Sequence, residues 1–168
     1  MDNAGDMESK PAWFDRPISS FIPKFTIQHL LIALILVAAV VSRFYDLGLR
    51  VMSHDEVNHV VPSYELYQGR GYAHDPVTHG PLQFHLVAGS YFLFGDTDFT
   101  SRIPAALFSI ATIAFVIFAF RRYLGRTGAL LAGVFFLVSP YMLFYGRYTR
   151  NEAFVALFGV VMLYAVLR

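Results

Sequence analysis

The sequence predicts an all-α integral membrane protein, with about four transmembrane helices and two interfacial helices in its first outer loop. Three observations carry that reading. Only 15% of the residues are charged, against 56% hydrophobic and 17% aromatic, where soluble domains carry about 25% charged residues. The apolar residues are gathered into runs of membrane-helix character. The polar remainder collects in two places, a tail over 1–25 and a loop over 44–98. Cysteine is absent, which excludes disulfides, thiolate zinc sites and a cysteine nucleophile. The formal charge is +1, and no nucleic-acid partner is expected.

Taken in order, the tail carries both signs of charge and Pro11, Pro17 and Pro23. It has no basic start, and no small-residue cleavage site follows the first apolar run, so that run is expected to be a retained span and not a signal peptide. The first span is placed at about 26–43, with "IQHLLIALILVAAVV" at its centre, Ser42-Arg43 as its stop and Phe25 and Phe44-Tyr45 as interfacial flanks. Over 55–68, Val57, Val60, Val61, Tyr64 and Tyr67 recur at near-helical spacing, predicting an amphipathic helix lying on the membrane. The run at 82–94, "LQFHLVAGSYFLF", is too short to cross comfortably and reads as a second interfacial helix. Further spans are expected at about 99–120, 127–145 and 152–168, making 26–168 one transmembrane unit.

Orientation follows from the short loop "RRYLGR", which carries Arg121, Arg122 and Arg126 and no acid. Short basic loops face the cytoplasm. The tail is therefore expected inside and the 44–98 loop outside, in a multi-pass protein of the cytoplasmic membrane. This places Arg147, Arg150 and Glu152 on the same outer face as Asp55 and Glu56, although the two acidic stations are about a hundred residues apart in sequence.

The loop motif "SHDEVNH" over 53–59 sets two carboxylates between two imidazoles beside a span. As a di-iron site it lacks a second Glu-x-x-His, and five residues on a helix turn His54 and His59 about 140° apart. His29 and His85 are more simply hydrogen-bonded helix residues than haem ligands. A single divalent cation, Mg or Mn, bridging a carboxylate and phosphates suits the oxygen donors better, with Asp55, Glu152 and His79 as its candidate ligands. The plain alternative for Asp55-Glu56 is a helix N-terminus, where carboxylates complement the dipole and Ser53 supplies a cap. The chemical alternative is a carboxylate that takes a proton from an acceptor hydroxyl. In "YGRYTRNEA", Arg147 and Arg150 are either interfacial anchors or a clamp for a phosphate.

The ordered motifs "HDE" at 54–56, "YAHDPVTHGP" at 72–81, "LFGD" at 93–96, "SRIPAALF" at 101–108, "LGRTGAL" at 124–130, "SP" at 139–140 and "YGRYTRNEA" at 145–153 resemble the GT-C membrane glycosyltransferases that use polyprenyl-phosphate sugars. The likeness is to protein mannosyltransferases, and closest to the archaeal and bacterial flippase-activity-associated proteins of N-glycosylation. It covers most of 44–168 and leaves the tail without a counterpart. The resemblance implies the N-terminal part of a GT-C fold that moves a glycosyl group from a polyprenyl-phosphate carrier to a protein, lipid or glycan acceptor on the outer face. It implies Asp55 as the catalytic carboxylate, Glu56 in support, and Glu152 as the second acid, where relatives often carry Asp. Arg147, Arg150, His54, His79 and Arg102 form the implied substrate-binding set, with membrane lipids around it. Related lipid-A sugar transferases often carry Glu-Lys where His79-Gly80 stand here, which shifts the phosphate contact toward Arg147 or Arg150. Such enzymes run to several hundred residues, so the chain is expected to be incomplete and inactive alone. The alternatives are a non-catalytic module that helps lipid-linked sugars bind or flip, and a structural subunit of a membrane complex.

Overall fold

In a computed structural model the described residues are 26–72 and 80–168, and among them every regular element is a helix. The helices are α1 (Ile27–Phe44), α2 (His54–Tyr67), α3 (Pro81–Phe94), α4 (Asp98–Ala119), α5 (Arg121–Val138), α6 (Pro140–Tyr145) and α7 (Glu152–Leu167). Two of them, α1 and α4, are long and apolar enough to cross a membrane, and α7 is a shorter apolar helix. The segment expected to span 127–145 as one helix is divided. Ser139 leaves the helix and caps α6 through its side chain, and Pro140 starts that helix at its first position. At its other end, α5 is kinked at Gly125, whose φ of 69° lies in the left-handed region that glycine tolerates.

Helix α4 is the central post. It packs against α1, α3, α5, α6 and α7, while α2 packs on α3. The apolar core gathers Ile32, Ile35 and Ala39 of α1 against Ile113 and Ile117 of α4. Gln28 of α1 accepts a hydrogen bond from Arg121, and the Tyr123 hydroxyl donates to the Leu167 carbonyl. The start of α1, the end of α4, the start of α5 and the end of α7 thus share one end of the bundle. The end of α1 and the starts of α4 and α7 share the other.

At two of the prolines a side chain repairs the backbone hydrogen bond that the ring breaks. A proline inside a helix leaves the carbonyl four residues earlier without its donor. Pro104 frees the Thr100 carbonyl, and the buried Ser90 hydroxyl donates to it at 2.7 Å. Pro140 frees the Phe136 carbonyl, which accepts from the Arg43 guanidinium at 3.1 Å, with the Leu137 carbonyl accepting from the same group at 3.0 Å. Arg43 was expected to stop the first span at the interface. It lies instead fully buried within α1, because the α5–α6 break presents carbonyls that need a donor.

The bundle also closes tightly around Gly146, just after α6. A Cβ placed there would press on the Ser109 hydroxyl and come within 2.6 Å of the Met142 carbonyl. Gly146→Ala is expected to destabilise the fold by about 1–3 kcal/mol, as overpacking does. A lowered thermal midpoint in detergent checks this, and an unchanged midpoint refutes the close approach.

Candidate functional site

The acidic motif begins with a cap. The Ser53 hydroxyl accepts from the Glu56 amide, and the Glu56 carboxylate accepts from the Ser53 amide at 3.1 Å, a reciprocal capping box. Helix α2 therefore starts where the acids are, and both carboxylates sit in its first turn, complementing the helix dipole. Successive helical residues point about 100° apart, so the pair divides. One acid turns inward and the other outward.

Glu56 is the inward one, with no exposed surface. Its Oε1 accepts from Arg102 Nε at 2.8 Å and from the Thr149 amide at 3.1 Å. Its Oε2 accepts from Arg102 Nη2 at 3.1 Å and from Arg50 Nη2 at 2.8 Å. Arg102, equally buried, spends Nη1 on the Leu47 and Arg50 carbonyls at 2.9 Å each. One carboxylate thus joins α2, the 47–50 loop, α4 and the 147–151 turn. Burial by itself would raise the Glu56 carboxyl. The hydrogen bonds from Arg102, Thr149 and Ser53 outweigh it, aided by the Arg102 charge, and hold the group below its ordinary value.

A carboxyl whose folded pKa is depressed stabilises the fold fully above its unfolded value of about 4.3, and that contribution fades as pH falls through the folded value. The protein is accordingly expected to lose stability below about pH 4, and Glu56→Gln to flatten that limb. Thermal midpoints between pH 3 and 7 check this, and an equally steep acid limb in the Gln variant would contradict it.

Asp55 is the outward acid, with its side chain half exposed. Arg150 Nη1 donates to its Oδ2 at 2.8 Å, and Arg150 Nε lies 3.2 Å from Glu152 Oε1. The two acidic stations that lie far apart in sequence therefore meet at a single guanidinium. Arg150 and Glu152 also line a cavity of about 330 Å³ with Tyr141, Asn151, Val155 and Ala156.

The structure redistributes the expected site residues. It brings Asp55, Arg150 and Glu152 together. It buries Glu56 and Arg102, whose polar atoms are turned to one another, to Arg50 and to backbone. Arg147 lies apart from Arg150. It donates to the Tyr45 carbonyl and lines a separate cavity of about 440 Å³ with Leu47, Arg50, Pro140, Leu143 and Phe144. His54 is exposed at the first position of α2, and His79 lies outside the described residues. Among the described residues no group of three or more histidines and acids is gathered for a metal. The Arg150 guanidinium pairs with one oxygen of Asp55 and one of Glu152, the two candidate ligands among the described residues. Sequence reasoning missed Arg50, which bridges to Glu56 and stacks over Tyr148 and Phe144 at 4.8 and 5.4 Å from the ring centroids. The only sequence signal was an arginine six residues before a buried acid.

Fold and site together define a helical protein with two helices long and apolar enough to cross a membrane and a charged station where its helices begin. The sequence model of the dolichyl-phosphate-mannose-protein mannosyltransferases matches residues 78–168, more than half of the chain. The chain belongs to that family, a glycosyltransferase family of the GT-C type. No curated protein and no solved structure matches it. The matched region contains Arg102, Thr149, Arg150 and Glu152, and begins after Asp55 and Glu56. The fold supplies the link, since each acid of the pair is bound by residues inside the matched region.

Proposed function

We propose that the chain forms the N-terminal part of a glycosyltransferase centre that moves a glycosyl group from a polyprenyl-phosphate carrier to an acceptor hydroxyl on the outer face of the membrane. In this reading α1, α4, α5 with α6, and α7 make four passes, and α2 and α3 lie at the outer interface. The Arg121–Arg126 loop faces the cytoplasm.

The observation that carries the reading is the Asp55–Arg150–Glu152 chain, a half-exposed carboxylate oriented at 2.8 Å by a guanidinium that also holds a second acid beside a cavity. Asp55 accepts the proton from the acceptor hydroxyl as that oxygen attacks the anomeric carbon. The bond from that carbon to the phosphate oxygen breaks, and the lipid phosphate leaves with the electron pair. General-base assistance of this kind contributes about 10²–10⁴-fold. Glu152 orients the acceptor. Glu56 and Arg102 are positioning residues: they fix the first turn of α2, and so the direction in which Asp55 points.

The test is release of label from a radiolabelled polyprenyl-phosphate sugar by the full protein in membranes, beside Asp55→Asn. Release by the wild type that is abolished in the variant supports the reading, and equal behaviour of the two overturns it.

A further inference from the structure

Three successive residues of the turn before α7 each meet the start of α2. The Tyr148 and Ser53 hydroxyls share a hydrogen bond, the Thr149 amide donates to Glu56 Oε1 at 3.1 Å, and Arg150 donates to Asp55 Oδ2 at 2.8 Å. These contacts are unequal. The Asp55–Arg150 pair is the exposed one, and an exposed ion pair holds geometry weakly. Thr149 contributes to this junction only through its backbone. Tyr148 is the side chain built into it, 6% exposed and enclosed on three sides. Phe144 stacks on its ring at 5.1 Å between centroids, Tyr145 meets it edge-on at 6.0 Å, and the Arg50 guanidinium lies 4.8 Å over it. Packing of this kind locks a rotamer and so fixes where the hydroxyl sits. Its partner Ser53 is the N-cap of α2, two residues before Asp55.

We propose that Tyr148 is a positioning residue for the Asp55 station, acting through Ser53; the proposal rests on the transfer reading above. The Ser53 oxygen that binds the phenol also accepts from the Glu56 amide, so removing the phenol leaves the cap of α2 in place. What is lost is the registration of that cap against the turn that carries Arg150. Arg50 braces the same junction, since it covers the Tyr148 ring while donating to Glu56. The distance from the chemistry is no protection, because misplacing a catalytic group by about 1 Å costs about 10²-fold in rate. Tyr148 acts on the orientation of the base and touches no reacting group.

The test follows release of label from a radiolabelled polyprenyl-phosphate sugar by the full protein in membranes, normalised to folded protein. Tyr148→Phe is expected to lower the rate at saturating lipid-linked sugar by about 10–10²-fold. The half-saturating concentration should stay within about twofold, since the base is displaced and the donor is not. A merely structural role would lower the rate only in proportion to folded protein. Ser53→Gly removes the same bond from its other end and leaves a residue that an N-cap tolerates. The combined variant is expected to be no slower than the slower single one, as for two ends of one bond. Tyr145→Phe, in the same aromatic cluster, should stay within about twofold of the wild type. Near wild-type rates in Tyr148→Phe and Ser53→Gly, losses that multiply in the pair, or an equal loss in Tyr145→Phe overturns the proposal. Asp55→Asn alongside separates it from the reading beneath it. An inactive Asp55→Asn with a normal Tyr148→Phe removes the positioning role alone, whereas normal release by Asp55→Asn removes the base and the role of Tyr148 with it.

Discussion

Asp55→Asn is expected to lower glycosyl transfer by about 10²–10⁴-fold, the contribution of a positioned general base, while leaving the thermal midpoint within about 1 °C. The pairing of those two outcomes is the substance of the prediction. Asn keeps the size and one carbonyl oxygen of Asp55, so Arg150 retains an acceptor, but an amide takes no proton. Because the Asp55 side chain is half exposed and its partner a third exposed, the ion pair is worth only about 0–1 kcal/mol, and the fold should not register its loss. Glu56→Gln supplies the contrast. Its effect on transfer should follow its effect on stability, since the side chain is buried and acts through the fold. A variant of Asp55 that loses activity only in proportion to lost folded protein would remove the base from the mechanism.

The apolar helices were legible because each is written locally. Apolar runs fixed α1, α4 and α7 to within a residue or two, and the Ser53 cap announced the start of α2. The break at Ser139–Pro140 was visible as a dipeptide, yet the apolar residues on both sides carried the reading straight through it. Hydropathy reports the medium around a helix and not its continuity.

The division of labour within Asp55-Glu56 was harder to see. Both acids are equally suited to a helix N-terminus, and only the partners distinguish them: Arg102 is 46 residues from Glu56, and Arg150 is 95 from Asp55. Arg102 and Arg43 were likewise invisible as interior residues. An arginine near the end of an apolar helix reads as an anchor until the opposing element offers it carbonyls or a carboxylate. Intramembrane arginines facing a proline break are the pattern to look for, and here Arg43 lies against the break before Pro140.

Arg102→Leu is expected to be the most destabilising substitution in the chain. Removing one partner of a buried ion pair costs about 3–5 kcal/mol, because the surviving charge is left desolvated. Glu56 would keep the Arg50, Ser53 and Thr149 bonds but lose both from Arg102, and the Leu47 and Arg50 carbonyls would lose their donor. The loop over 47–50 would then separate from α4, taking the α2 cap with it. Replacing Glu56 in the same molecule discriminates between charge and packing. If the cost is an orphaned carboxylate, Arg102→Leu with Glu56→Met should be more stable than Arg102→Leu alone, since buried ion pairs are often replaceable by apolar residues of similar volume. If the cost is only the lost guanidinium volume, the second substitution should bring no recovery. Thermal midpoints of the two variants beside the wild type decide it. A folded but inactive double variant would further show that the buried pair serves the Asp55 station by holding it in place.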